Sequence, residues 1–317
     1  MARADGEPIV EPVDVLVVGD LATDVLVLGG GPRAAGTDTP SRIEERDGGQ
    51  GANQARWLAA EGVRAGLAAR VGRAGLARRE RSLRAAGVVP FLTGDAARPT
   101  ARIVVLVDPA TGERDMFSDR GAGAALTARD LTRGLTSTRR WVHVSGYALF
   151  GAYGPAVMGA VRRSAEDSGL GISVDPASSA ELSRFGVERF LALVGGVDLL
   201  LPNLAEARLL TGAATADAGT AAVSLLEVAH TVVVTDGAAG AVSASALPST
   251  STATSMATAL TVSAVEVDRV VDTTGAGDAF AAGYLAALLD GADAAARLTR
   301  GSRAAARAVG TVGAQPP

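Results

Sequence analysis

Val271-Asp272-Thr273-Thr274-Gly275-Ala276-Gly277-Asp278 is the stretch around which the chain is organised. An apolar, β-branched run from Val262 to Val271 leads into it, and the small-residue segment Ala279 to Leu289 leads out. This pattern predicts a strand giving way to a helix at two glycines. The first N–H groups of a helix have no intrahelical partners and sit at the positive end of its dipole. Glycine lets an anion approach them closely. Gly275, Ala276 and Gly277 therefore read as a phosphate cradle. A carboxylate would repel an anion that is merely bound there. A base that deprotonates an attacking hydroxyl, with the phosphoryl group in the cradle, accounts for Asp278 as well. On this stretch alone, an ordinary first-turn helix acid explains Asp278 equally well.

Composition removes several classes of chemistry. The chain has no cysteine, which excludes disulfides, thiolate metal sites and cysteine nucleophiles. All 30 basic residues are arginine. A P-loop, a protein-kinase strand and a Schiff base each need lysine, so none of the three is available. Phosphates must then be handled by backbone amides, arginine and a metal. The net charge of −4, with both signs mixed along the chain, gives no footprint for nucleic acid. Met1 to Glu11 are polar and acidic without an apolar core, and no apolar run has membrane-spanning length. A cytoplasmic protein with no membrane partner is expected.

Upstream, Asp14 to Asp20 reads as a buried strand ending at a glycine turn, followed by the apolar run Asp24 to Leu28. Ligands of open α/β sheets bind outside the carboxyl ends of strands, which places Asp20 or Asp24 near a polar substrate. Turn chemistry is the plain alternative. A loop at Gly29 to Pro32 and a polar segment from Thr37 to Arg46, suited to an exposed strand or flap, come next. Asp47-Gly48-Gly49-Gln50-Gly51-Ala52-Asn53-Gln54-Ala55 then opens a helix running to about Ala60. Asparagine is disfavoured inside helices, so Asn53 is expected to hold something, if only a neighbouring loop. Gly66 to Val71 reads as a strand and Ala77 to Ala86 as a helix. Thr100 to Val107 and Glu113 to Ser118 form a hairpin about a turn at Asp108 to Gly112. The flap and the hairpin break the strand–helix alternation and can pair into a small sheet over a pocket.

Alternation then resumes. Strands are expected at Trp141 to Gly146, Gly171 to Pro176, Val197 to Asn203 and Thr231 to Gly237. Helices are expected at Gly154 to Ser168, near Phe185 to Val194, at Leu204 to Leu210, up to Ala229, and at Asp293 to Val309. This implies a mostly parallel sheet with helices on both faces. Ala241 to Val265 reads as strands about a loop at Pro248 to Thr258. His143 reads as a strand residue and His230 as a helix-end residue, too isolated for a metal site or a triad. Asn203-Leu204-Ala205-Glu206 puts an amide and a carboxylate at a strand-to-helix turn, where they can serve Mg²⁺ or form a capping box.

Three motifs in order now carry a resemblance: Gly48 to Ala55, Asn203 to Glu206, and Asp272 to Asp278. The chain resembles the ribokinase-like, PfkB-type carbohydrate kinases over nearly its whole length. The resemblance implies one α/β domain over residues 1–317, a three-layer α/β/α unit with a small β-sheet lid from about 24–46 and 100–118. It implies ATP-dependent phosphorylation of a hydroxymethyl group on a small sugar or sugar derivative. Asp278 would be the base, with Gly275, Ala276 and Gly277 as anion hole. Asp24, Gly49, Gln50 and Asn53 would hold the sugar. Thr235, Asp236, Gly237 and Asn203 would lie along ATP. Asn203 and Glu206 would organise Mg²⁺ largely through water, and Asp272 and Thr274 would form a loop for K⁺. The lid would also support a homodimer.

The chain departs from the ribokinase pattern at named positions. Gln50 stands where lysine is usual, Ser145-Gly146-Tyr147 where a glutamate is usual, and Asp20 and Ala22 where uncharged polar residues are usual. Ribose is therefore not assigned. Gly72-Arg73-Ala74-Gly75 lacks the acidic residues common after its strand. A nucleoside kinase of the same family, or a catalytically silent sugar- or nucleotide-binding sensor, is the alternative. A dehydrogenase is disfavoured, because Gly29-Gly30-Gly31 lacks dinucleotide-site spacing.

Overall fold

Beta-branched and leucine-rich runs form the centre of the molecule, and the glycines and polar residues between them set its ends. The structure is a computed structural model and describes residues 11–29, 36–107, 114–246 and 257–317. The loop at Gly30 to Pro32, the hairpin turn at Asp108 to Gly112 and most of the Pro248 to Thr258 loop lie outside the described residues.

The N-terminal part contains β1 (Val13–Val18), β2 (Ala22–Gly29), β3 (Ser41–Gly48), α1 (Gln50–Ala60), β4 (Ala65–Gly72) and α2 (Leu76–Ala85). It continues with β5 (Val89–Asp95), β6 (Ala101–Val107), β7 (Arg114–Asp119) and α3 (Ala128–Ser137). Then come β8 (Thr138–Ser145), α4 (Gly154–Ser168), β9 (Gly171–Asp175), α5 (Ser179–Phe185), α6 (Val187–Val194) and β10 (Val197–Leu200). The C-terminal part holds α7 (Leu204–Thr211), α8 (Ala218–Ser224), β11 (Ala229–Thr235), β12 (Ala241–Ala246), β13 (Ala257–Val262), α9 (Ala276–Leu289) and α10 (Ala294–Val309).

Among the described residues, nine strands form one sheet in the order β13-β12-β11-β10-β9-β8-β1-β4-β5. It is parallel except where β12 pairs with β11 and β13. The chain leaves β1 toward β4 and β5 on one side and returns at β8 on the other. That reversal opens a crevice beyond the strand ends, where such sheets bind ligands. Side chains alternate across the sheet and feed two cores. Val142, Val144 and Val174 pack with Phe190 and Met158 under α4 and α6. Val15, Val17 and Leu67 pack with Trp57, Tyr284 and Leu298 under α1, α9 and α10. The small sheet, β3-β2-β6-β7, is separate, as the broken alternation implied.

Several sequence expectations are corrected. The β-branched run before Asp272 is not a strand. β13 ends at Val262, and residues 263–273 carry no regular structure. Val265, Val270 and Val271 are exposed there, so β propensity has no neighbour to pair with. The helix expected near Phe185 to Val194 is α6, and a further helix, α5, precedes it, divided from it by Gly186 at φ 101°. α8 ends at Ser224, and Ala229 already belongs to β11, which makes His230 a strand residue. The strand expected to reach Asn203 stops at Leu200. β5 and α3 went unread.

Candidate active site

The three motifs meet at the carboxyl ends of the central strands. Gly275, at φ 78°, starts α9, and a side chain there would strike the Ala314 backbone at 2.6 Å. The adjoining chain holds this loop. Asp272 accepts from the N–H of Thr274 at 2.8 Å and of Gly313 at 2.9 Å. Trp57 Nε1 donates to Ala314 O at 2.9 Å. Gly277 differs: a Cβ built there meets nothing within 4 Å. Open space thus lies over the first turn of α9.

Asp278 closes that turn and is half-buried. Its carboxyl is pushed well above the ordinary carboxylate range, first by burial and then by the charges of Asp175, Asp20 and Asp24. Asn53 opposes this by donating Nδ2 to Asp278 Oδ2 at 3.1 Å. The in-helix asparagine thus does hold a partner, 225 residues away in sequence. Its own Oδ1 is buried without a partner, as is Asp24 Oδ1. Asp24 is squeezed against the Gly48 backbone, where any side chain would overlap its carboxylate. Burial and the neighbouring Asp20 and Asp47 raise the Asp24 pKa to about 6.

A cavity of about 160 Å³ runs from Gln50, Gly275, Gly277 and Asp278 past Asn203 and Glu206 to Thr235. Asp175, at the end of β9, lines it too and was given no role by sequence reading. Gln50 Nε2 and Gln54 Nε2 each donate to the Asp175 carboxylate at 2.9 Å. A polar residue at a strand end was the available signal. Gln50 Oε1 accepts from the Ser145 hydroxyl. Two departures from the ribokinase pattern, Gln50 and Ser145, are therefore bonded to each other. Ala177, on the same cavity, is the one described non-glycine residue at positive φ, 74°. Such strain costs roughly 1 kcal/mol or more and clusters at functional sites.

Asn203 and Glu206 form the capping box considered above: Asn203 N donates to Glu206 Oε2 at 3.0 Å, and Glu206 N to Asn203 Oδ1 at 2.9 Å. Both residues still line the cavity. Burial, then the charge of Asp175, raises the Glu206 carboxyl; burial raises Asp175. Asp175, Glu206 and Asp278 thus line one cavity. Among the described residues no three acidic or histidine side chains come together closely enough to hold a metal ion directly, so the donor set fits Mg²⁺, which keeps most of its waters and needs few protein ligands.

Not every candidate residue meets there. Asp236 and Gly237 follow Thr235 in a turn outside the cavity lining. Asp24, Asp272 and Thr274 line a second cavity of about 590 Å³, between the small sheet and residues 311–317. Gly49, at φ 95°, packs on the Ala22 amide. Among the described residues, no helix is long and apolar enough to cross a membrane.

Residues 13–317 match the model of the pfkB family of carbohydrate kinases. A probable sugar kinase protein from Rhizobium etli CFN 42 superposes with a TM-score of 0.81 at 25% identity, over 96% of each chain. Adenosine kinase from Sinorhizobium meliloti gives 0.80 at 25% identity, again over 96% of each. An E. coli protein described as a "putative Ribokinase II", in complex with ATP and Mg²⁺, gives 0.79 at 22% identity, over 95% of this chain and 94% of that one. No curated protein is significantly similar in sequence.

Proposed function

The chain belongs to the pfkB family of carbohydrate kinases, and from that premise we propose a cytoplasmic enzyme that transfers the γ-phosphoryl group of ATP to a hydroxymethyl group of a small sugar or sugar derivative. One observation carries the reading: Asp278, held by Asn53, stands in the same helical turn as Gly277, over open space.

The acceptor hydroxyl lies against Asp278, which takes its proton as the oxygen attacks. The N–H groups of the first α9 turn, at Gly275 to Gly277, receive the charge spread over the phosphoryl oxygens. Positioning and charge stabilisation are most of what this transfer requires, and amides at a helix start supply them without lysine. Asp24 Oδ1 and Asn53 Oδ1 are buried acceptors that lack donors. Hydroxyl groups are donors, which favours a polyhydroxylated acceptor. Gly49 is read with them as part of the sugar site, where its close packing on Ala22 and Leu21 leaves no space for a side chain. Gln50 acts on Asp175, since its amide is engaged there and its carbonyl at Ser145.

Asn203, Glu206 and Asp175 would hold Mg²⁺ with its waters; when bound, the ion supplies positive charge to the phosphates. Thr235, with Asp236 and Gly237 beyond it, is read as lying along the nucleotide; the E. coli protein bound to ATP and Mg²⁺ supports the choice of cofactors. Asp272 and Thr274 form the K⁺ loop. The small sheet is read as the lid of one kinase domain. Ile43 and Phe117, exposed on its outer face, suit a homodimer through that sheet. A panel of sugars, sugar acids and nucleosides scored for ADP release tests the reading. A hydroxymethyl sugar should give the highest kcat/KM. Preference for a nucleoside would replace the acceptor class, and ADP release with no compound at all would refute the kinase.

A further inference from the structure

The outer face of the small sheet carries a cavity that the transfer reaction does not use. Along β2, β3 and β6, Thr23, Glu45 and Arg102 share one face by register, whereas Asp24, Leu26 and Val105 share the other. The first set lines a cleft of about 450 Å³. Its remaining walls come from the loops after β4 and β5 and from the first turn of α2. Five arginines line it: Arg73, Arg78, Arg79, Arg98 and Arg102.

The two carboxylates of the lining do not balance them. Asp95 is taken up by the Ala97 and Arg98 amides, Arg70 and the Arg98 guanidinium. Glu45 makes no ion pair among the described residues. Arg78 is paired outside the cleft with Asp47, at 3.1 Å. Arg73, Arg79 and Arg102 have no carboxylate partner among the described residues. Arg79 is the telling case, because it is only 7% exposed. It donates to neutral oxygens alone, Thr23 Oγ1 at 3.0 Å and Ala74 O at 3.3 Å, and its Nε is buried without a partner. Burial, then the charge of Arg78, lowers its pKa. Buried charges are ordinarily paired. The loop that could have supplied an acid, Gly72 to Gly75, supplies Arg73 instead.

Guanidinium groups lining an open cleft match a tetrahedral oxyanion, whose oxygens accept forked pairs of N–H bonds. We propose that this cleft binds a phosphate dianion, either free phosphate or a phosphate monoester, at a site distinct from the reaction centre. The ligand joins Arg102 of the small sheet to Arg73 and Arg98 of the large-sheet loops. It thereby ties down β2, where Thr23 precedes Asp24.

Calorimetric titration with inorganic phosphate, at constant ionic strength maintained with chloride, tests this. Two variants separate the sites. Arg73→Gln with Arg102→Gln alters two exposed, unpaired residues, and a melt checks that the variant is folded. Gly277→Asp puts a carboxylate into the open space at α9. Wild type and Gly277→Asp should bind phosphate alike, and the double variant at least tenfold more weakly. Competition by glucose 6-phosphate would identify a monoester as the ligand; phosphate binding without such competition would identify the free ion. Unchanged affinity in the folded double variant overturns the proposal. So does loss of binding in Gly277→Asp, which would put the anion at the reaction centre, or the absence of saturable binding to wild type.

Discussion

Replacing Asn53 by alanine removes the N–H that reaches Asp278 Oδ2 at 3.1 Å. That bond favours the ionised carboxylate, while burial and three neighbouring acids favour the protonated form. A hydrogen bond to a charged group contributes about 1.5–3 kcal/mol, which at roughly 1.4 kcal/mol per unit is about one to two pH units. Asp278 serves as a base only when ionised, so activity is lost as pH falls through its pKa. Removing Asn53 raises that pKa, and the acid limb of kcat/KM, which reports the free enzyme, should move up by about one to two units. At pH 7 the variant should be slow, and raising the pH should restore much of the loss. KM for the acceptor should rise as well, because Asn53 Oδ1 is also removed. The assay is ADP release across pH 5.5 to 9.5, with the acceptor that the substrate panel selects. An acid limb left in place, with activity lower by one factor at every pH, would refute Asn53 as the group that sets the basicity of Asp278.

Asp278→Asn should lower kcat by at least about 10³-fold while ATP still binds by titration; unchanged turnover removes the base assignment. Gly277→Ala and Gly275→Ala should differ in kind. The first places a methyl in open space, so its melting temperature should hold while turnover falls. The second meets Ala314 and forces a left-handed alanine, costing about 1–3 kcal/mol of stability in a denaturant melt. Asp24→Asn should stabilise the ligand-free protein. The folded pKa of Asp24, about 6, lies above its unfolded value of 3.8, so the folded state holds the extra proton and stability falls as pH rises through that window. The gain should reach about 3 kcal/mol at most at pH 8 and vanish near pH 4, with acceptor binding lost. Mg²⁺ should raise the melting temperature more at pH 8 than at pH 6, because Asp175 and Glu206 must ionise to hold it; an equal rise at both would count against those ligands.

The site was legible where function and local backbone rules coincide. Two glycine-rich helix starts and the Asn203–Glu206 capping box are each visible as a short string of residues, and the three converge on one crevice. Asp175 was not legible, because its meaning lies in Gln50 and Gln54, 125 and 121 residues away. The misread elements have local causes. Val265 to Val271 has strand composition but no strand beside it, and pairing, not propensity, makes a strand. Leu225 to Ala229 is a short apolar run, for which period alone does not separate helix from strand. β5 carries Pro90, which is tolerated because β5 is the edge of the sheet. α3 offered a readable start, since Asp130 accepts from the Thr127 amide at 2.9 Å, but Gly134 and its threonines obscure the rest.

Asp20, Asp24, Asp175, Glu206 and Asp278 come from distant parts of the chain, and none joins an ion pair among the described residues. Each has its carboxyl raised, with burial as the largest cause. A fold selected only for stability would have paired or replaced them, because buried like charges oppose folding. Thirty arginines were available to do so, and among the described residues none is ion-paired to any of the five. The acids therefore form an incomplete charge set. In the proposed reaction, a metal, a proton leaving a hydroxyl and the amides of α9 would complete it only when both substrates are bound. Lysine would then be dispensable: fixed N–H groups at a helix start can hold phosphoryl charge without adding a mobile cation that the five acids would capture and neutralise.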